Sequence, residues 1–146
     1  RSAPRTAARR GCGTPVGLRY APELRVPAQS CVVLAVRARA GHPQLLSTSR
    51  HVTQGLVDVT AEAWDESASE LSGTSQLVGG DACELRLSPR STRGFWKSAA
   101  AQVSAADRAA GVTVERREAD GWVRVTLQSP QSRKVHWRAR FTAPGP

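Results

Sequence analysis

At 146 residues the chain has the size of one ordinary domain and is long enough to bury a single core. It has no stretch near the ~18 apolar residues that a membrane helix needs, and no charged-then-apolar leader, so a soluble piece is expected. The formal charge of +9 invites a polyanionic partner, but the cations are scattered and nearly all arginine amid abundant alanine. That is the bias of a GC-rich coding sequence, and with no aromatic stacking platform or recognition helix, neither nucleic acid nor a membrane is expected as a partner.

The chain begins at Arg1 and contains no methionine, which reads as a segment of a longer protein. Residues 1–22 are rich in Arg, Ala, Pro and Gly, carry Arg1, Arg5, Arg9 and Arg10, and lack an apolar period. They are expected to be irregular or disordered. A β-sandwich is expected over 23–142, with 143–146 as a tail.

From Glu23 onward the chain changes character. Residues 24–26 and 31–36 are short β-favouring runs separated by Pro27-Ala28-Gln29-Ser30, a spacing that suits two strands and a turn. Residues 57–64 alternate apolar and polar and read as a strand with one wet face. Residues 71–78 and 82–87 flank Gly79-Gly80-Asp81, which reads as the turn of a hairpin, with Cys83, Leu85 and Leu87 sharing one side. A strand is expected over 95–103, followed by a helical turn capped by Ser104. Two alternating runs flank Asp120-Gly121, a strong hairpin signal. The last strand, 134–141, turns Val135, Trp137, Ala139 and Phe141 to one face. About eight such strands, with no amphipathic helix between them, predict an all-β antiparallel sandwich of immunoglobulin-like or Greek-key type.

Cys12, Cys31 and Cys83 are widely spaced and form no C-x-x-C pair, so no zinc is expected. Cys31 and Cys83 read as small strand residues. A disulfide between them across two sheets is the alternative. His42, His51 and His136 have no ligand partner at i+2 or i+4; no metal and no cofactor are expected. Among the tryptophans, core is the reading for Trp137. Trp96, beside Phe95 and Lys97, and Trp64 are the candidates for an exposed platform facing a carbohydrate or a partner, although core is the stronger reading for Trp96 too.

The densest polar cluster is Ser47-Thr48-Ser49-Arg50-His51. Ser47, Ser49 and His51 share one side of an extended chain, with Asp58 available behind the histidine. A triad also needs convergence and an oxyanion site, and no G-x-S-x-G elbow is present. The cluster is therefore expected to be a polar connection, bonding to backbone or to a neighbouring domain through Ser47, Ser49, Arg50 and His51. Asp58, Glu62, Asp65, Glu66, Asp81, Glu84 and Asp107 are read as solvated carboxylates rather than a glycosidase pair. No catalytic residue is expected.

The run Val26-Pro27-Ala28-Gln29-Ser30-Cys31-Val32-Val33-Leu34-Ala35-Val36-Arg37 resembles the closing β-domain of α-galactosidase-like (melibiase-type) bacterial glycoside hydrolases. The stretch His42-Pro43-Gln44-Leu45-Leu46-Ser47-Thr48-Ser49-Arg50-His51-Val52-Thr53-Gln54-Gly55, then Val57-Asp58-Val59 and Val78-Gly79-Gly80-Asp81 before Glu84-Leu85-Arg86, is similar to their C-terminal extension. The likeness spans roughly 24–141; residues 1–22 depart from it. It implies a non-catalytic accessory domain packed on an upstream catalytic barrel of the same protein, which holds the catalytic aspartates, and it implies the parent's compartment, secreted or cytoplasmic. The alternatives are a stand-alone carbohydrate-binding module, which needs an exposed ring such as Trp96 or Trp64, and an immunoglobulin-like interaction module.

Overall fold

The computed structural model describes residues 25–32, 34–50 and 58–145; the expectations for residues 1–22, Cys12 and His51 lie outside them. The chain divides into two units, Arg1–Val32 and Val33–Pro146. In the first, the described residues are exposed and form no strand. Pro27 to Ser30 make a tight turn, in which Ser30 donates both its backbone N–H and its Oγ–H to the Pro27 carbonyl, at 3.3 and 2.7 Å.

The second unit holds ten strands and one short helix among the described residues: β1 (Gln44–Thr48), β2 (Val59–Asp65), β3 (Glu70–Leu77), β4 (Cys83–Ser88), β5 (Arg90–Ser91), β6 (Gly94–Phe95), β7 (Lys97–Val103), α1 (Ala105–Ala109), β8 (Thr113–Ala119), β9 (Trp122–Gln128) and β10 (Arg133–Thr142). Eight of these make two four-stranded sheets, ordered β1-β4-β9-β8 and β2-β3-β10-β7, while β5 and β6 form a small ribbon. All pairings are antiparallel. The fold is the all-β sandwich that the alternating pattern predicts. No helix among the described residues is long and apolar enough to cross a membrane.

The period-2 pattern sets the core. β4 buries Cys83, Leu85 and Leu87; β9 buries Val123, Val125 and Leu127; β10 buries Val135, Trp137, Ala139 and Phe141; β3 contributes Leu71 and Leu77. Each fully buried aliphatic side chain contributes roughly 1.5–3 kcal/mol. Trp137 donates its indole N–H to Ser75 Oγ at 2.9 Å, so the one polar atom of this large core ring is satisfied.

The hairpin expected around Asp120-Gly121 is present. Both residues have positive φ, 56° and 76°, the two-residue I′ geometry whose twist matches that of the strands. The helical turn is present too. Ser104 Oγ accepts the Asp107 N–H at 3.0 Å and donates its proton to Asp107 Oδ2 at 2.7 Å. Asp107, expected at the surface, is buried. Its carboxylate accepts the His136 N–H at 3.3 Å, just past the Trp137–Val103 pair where β7 ends, and pairs with Arg133 at 3.2 Å. A side chain thus takes over where a strand runs out. The Ser104-x-x-Asp107 spacing is the sequence signal for the helix cap alone.

Two expectations change. Residues 71–78 and 82–87 do not form a hairpin: β3 and β4 belong to different sheets. The turn between them docks on the β9–β10 connection, where Gly80 N–H bonds the Ser129 carbonyl at 2.9 Å and Gly79 N–H bonds Ser132 Oγ at 3.0 Å. A Cβ at Gly79 would come within 2.9 Å of Gln131 Cα. Two crossing connections therefore run side by side, which pairs β3 with β10 and β4 with β9. Nor do residues 31–36 form a strand in the described positions; the first strand among the described residues begins at Gln44, and the expectation for Leu24 lies outside them. β-propensity is expressed only where a neighbouring strand supplies backbone partners.

Candidate functional site

Leu34 and Val36 stand out among the described residues of the second unit. They are 57% and 88% exposed, in a non-strand segment ahead of β1. Alternating apolar residues are those that bury one face of a strand, so their exposure runs against the residue types. The segment is anchored at its C-terminal end. Arg37 donates to the Leu45 carbonyl and pairs with Glu62 at 2.8 Å, and Glu62 also accepts the Leu45 N–H at 3.3 Å, bridging β1 to β2. Gln44, buried, accepts the Ala40 N–H at 3.0 Å and donates to the Ala38 carbonyl at 3.1 Å. Side chains of the sandwich therefore hold 37–44 in place, while Leu34 and Val36 project apolar surface to solvent.

The polar cluster is engaged within the sandwich. Ser49 exchanges bonds with Glu84 of β4: its N–H goes to the Glu84 carbonyl at 2.8 Å, and its Oγ accepts the Glu84 N–H at 2.9 Å. The hydroxyl stands in for a backbone carbonyl and lengthens the β1–β4 ladder by one rung. Ser47 lies opposite Arg86 just after a bulge in β1. Arg50 lies 3.6 Å from both Asp58 and Asp81. Asp58, the orienting acid that a triad would use, thus faces the Arg50 guanidinium at ion-pair distance.

Trp96 is buried, and its indole N–H bonds Ser91 Oγ at 2.9 Å. It offers no face to a ligand. Trp64 is half-buried, with His42 stacked on it at 5.0 Å and 5° and Trp96 edge-on at 5.3 Å. Its indole N–H donates to Glu66 at 2.7 Å, and that bond, with Arg93 beside it, holds the Glu66 carboxyl below its ordinary value. Trp64 closes one end of the core rather than opening a platform. Among the described residues, the large apolar rings most open to solvent are Phe95 and Trp122. Cys31 and Cys83 are free thiols, the first exposed and the second buried, and burial pushes the Cys83 thiol up.

On the outer face of the first sheet, Arg86, Arg124 and Arg117 lie opposite one another across three strands. Like charges in register repel, and Glu84 offsets this by accepting from Arg86 at 2.8 Å and Arg124 at 3.2 Å. These bonds hold the Glu84 carboxyl below its usual range. A carboxylate so stabilised does not serve as a general acid near neutrality.

Compared with protein-family models, curated proteins and solved structures, the chain matches none.

Proposed function

We propose that this chain is a non-catalytic β-sandwich accessory domain of a larger α-galactosidase-like glycoside hydrolase, packing on the catalytic domain of the same protein. The observation that supports this reading is the exposed pair Leu34 and Val36, on a segment tied to the sandwich by Arg37 and Gln44. A β-favouring apolar run held out from its own sheets suits pairing with a strand of a neighbouring domain. Burying both side chains there would contribute about 2–4 kcal/mol. The stand-alone carbohydrate-binding reading loses its ring candidates, since Trp96 is buried and His42 covers Trp64.

The test compares the 146-residue chain with the same chain joined to its genomic upstream neighbour, each with and without Leu34→Ser and Val36→Ser. The joined protein is expected to hydrolyse aryl α-galactosides and the chain alone to do nothing. The double substitution is expected to lower the melting temperature of the joined protein by several degrees, as ~2 kcal/mol does for proteins of a few hundred residues, while leaving the single chain unchanged. Turnover by the chain alone, or an unaltered joined protein, would sink the reading.

A further inference from the structure

The outward-facing residues of β10 alternate with its core residues, and every one from Lys134 to Arg140 is basic or imidazole: Lys134, His136, Arg138 and Arg140. Six residue steps of strand span roughly 20 Å, with consecutive outward side chains about 6.8 Å apart. β10 lies between β3 and β7, so this row runs down the middle of a sheet face rather than along an edge. Most of its neighbours are small or neutral; the exceptions are Glu70 opposite Arg140, Glu62 and Arg108. Ala61, Glu62, Ala63, Ser72 and Thr74 line a trough of about 220 Å³ on one side of His136 and Arg138. Gln102, Ser104, Ala105 and Arg108 line one of about 340 Å³ on the other. The basic side chains form a ridge between two shallow channels.

The charge on this face is incompletely neutralised. Lys97, Arg108, Lys134, Arg138 and Arg140 stand against Asp65, Glu70 and Glu62, of which Glu62 is paired with Arg37 at 2.8 Å. Glu70 is shared by Arg138 at 3.7 Å and Arg140 at 3.5 Å, longer than the 2.7–3.2 Å of a formed hydrogen bond. Both side chains remain more than half exposed, at 64% and 57%, with guanidinium donors to spare. Asp65 is occupied by Ser67 and Ala68 in its own turn. Among the described residues no Trp, Tyr or Phe faces outward from these four strands, and His136 is the one outward imidazole, so the row of large stacking rings that single-stranded nucleic acid uses is lacking.

We propose that this face binds an extended polyuronate, a sugar polymer carrying a carboxylate on successive units, laid along β10. Arginine matches carboxylate in planar, two-pronged geometry, the row is linear, and the flanking channels leave room for sugar rings beside it. The inference rests on the sheet itself and not on the assignment to a glycosidase.

The test measures binding of polygalacturonate to the 146-residue chain at low and high salt, with neutral galactan and duplex DNA as comparison polymers. Binding to polygalacturonate alone is expected, weakening as salt screens the charges. Arg138→Gln and Lys134→Gln are each expected to weaken it about tenfold, whereas Arg90→Gln with Arg117→Gln, away from this face, leaves it unchanged. Lys134 has no acidic partner among the ion pairs described, so its replacement separates lost binding from lost folding; melting curves check this for every variant. The proposal is overturned by equal binding to neutral galactan, by tighter binding to DNA, by an equal loss in the Arg90/Arg117 variant, or by no binding at low salt.

Discussion

Gly73 lies opposite Trp137 in the β3–β10 pair, on the inner face. A Cβ there would sit 2.3 Å from Trp137 Cζ2 and 2.8 Å from the Ala61 carbonyl oxygen, neither of which is the end of a flexible chain. Gly73→Ala is therefore expected to cost about 1–3 kcal/mol or more by overpacking, read as a lower denaturant midpoint with an unchanged slope. A neutral result would mean that the indole can shift without loss of its bond to Ser75. Trp137 was legible as core from its place in the alternation, but its glycine partner was not, because the match is made across 64 positions of chain by strand pairing. Asp107 was mistaken at the same scale. Its residue type favours solvent, and what overrides that is a set of donors from Ser104, Arg133 and His136 that only the folded chain assembles.

Among the elements, the β8–β9 hairpin was readable because Asp120-Gly121 specifies its own turn, while β3 and β4 misled because Gly-Gly-Asp permits a reversal without saying which strand lies beside which. The same outer sheet face supplies a pH-dependent element in Glu84. Its carboxyl is held low by Arg86 first and Arg124 second, so its stabilisation is fully present above the unfolded value near pH 4.3 and is lost as pH falls through the lower folded value. Glu84→Gln is expected to lower stability at neutral pH by about 1–3 kcal/mol, because Arg86 and Arg124 are left facing each other across β4 and β9. The gap between the two melting curves should close as pH falls through the lowered folded value, where wild-type Glu84 itself becomes protonated. A gap that persists unchanged there would assign the loss to packing rather than to charge.

For the second unit as a whole, protection should follow strand order. β10 is paired on both sides and carries four core residues, whereas residues 34–39 lie outside the sheets and are exposed. Hydrogen exchange is expected to be slowest in β10 and β9 and fast in residues 34–36; slow exchange there in the isolated chain would remove the exposed-strand argument for a partner domain. The sequence by itself determined the class of fold, the alternating faces of β4, β9 and β10, the Asp120-Gly121 turn and the Ser104 cap. Each follows from a local rule, a period of two or a turn that needs particular residues. Only the tertiary structure decided that β3 leaves its sequence neighbour for β10, that Trp96 is enclosed, that Ser49 serves the β1–β4 ladder, and that scattered cations gather beside β10. Those outcomes depend on which distant strand lies alongside, and a repeat of two residues is the same whichever partner it meets.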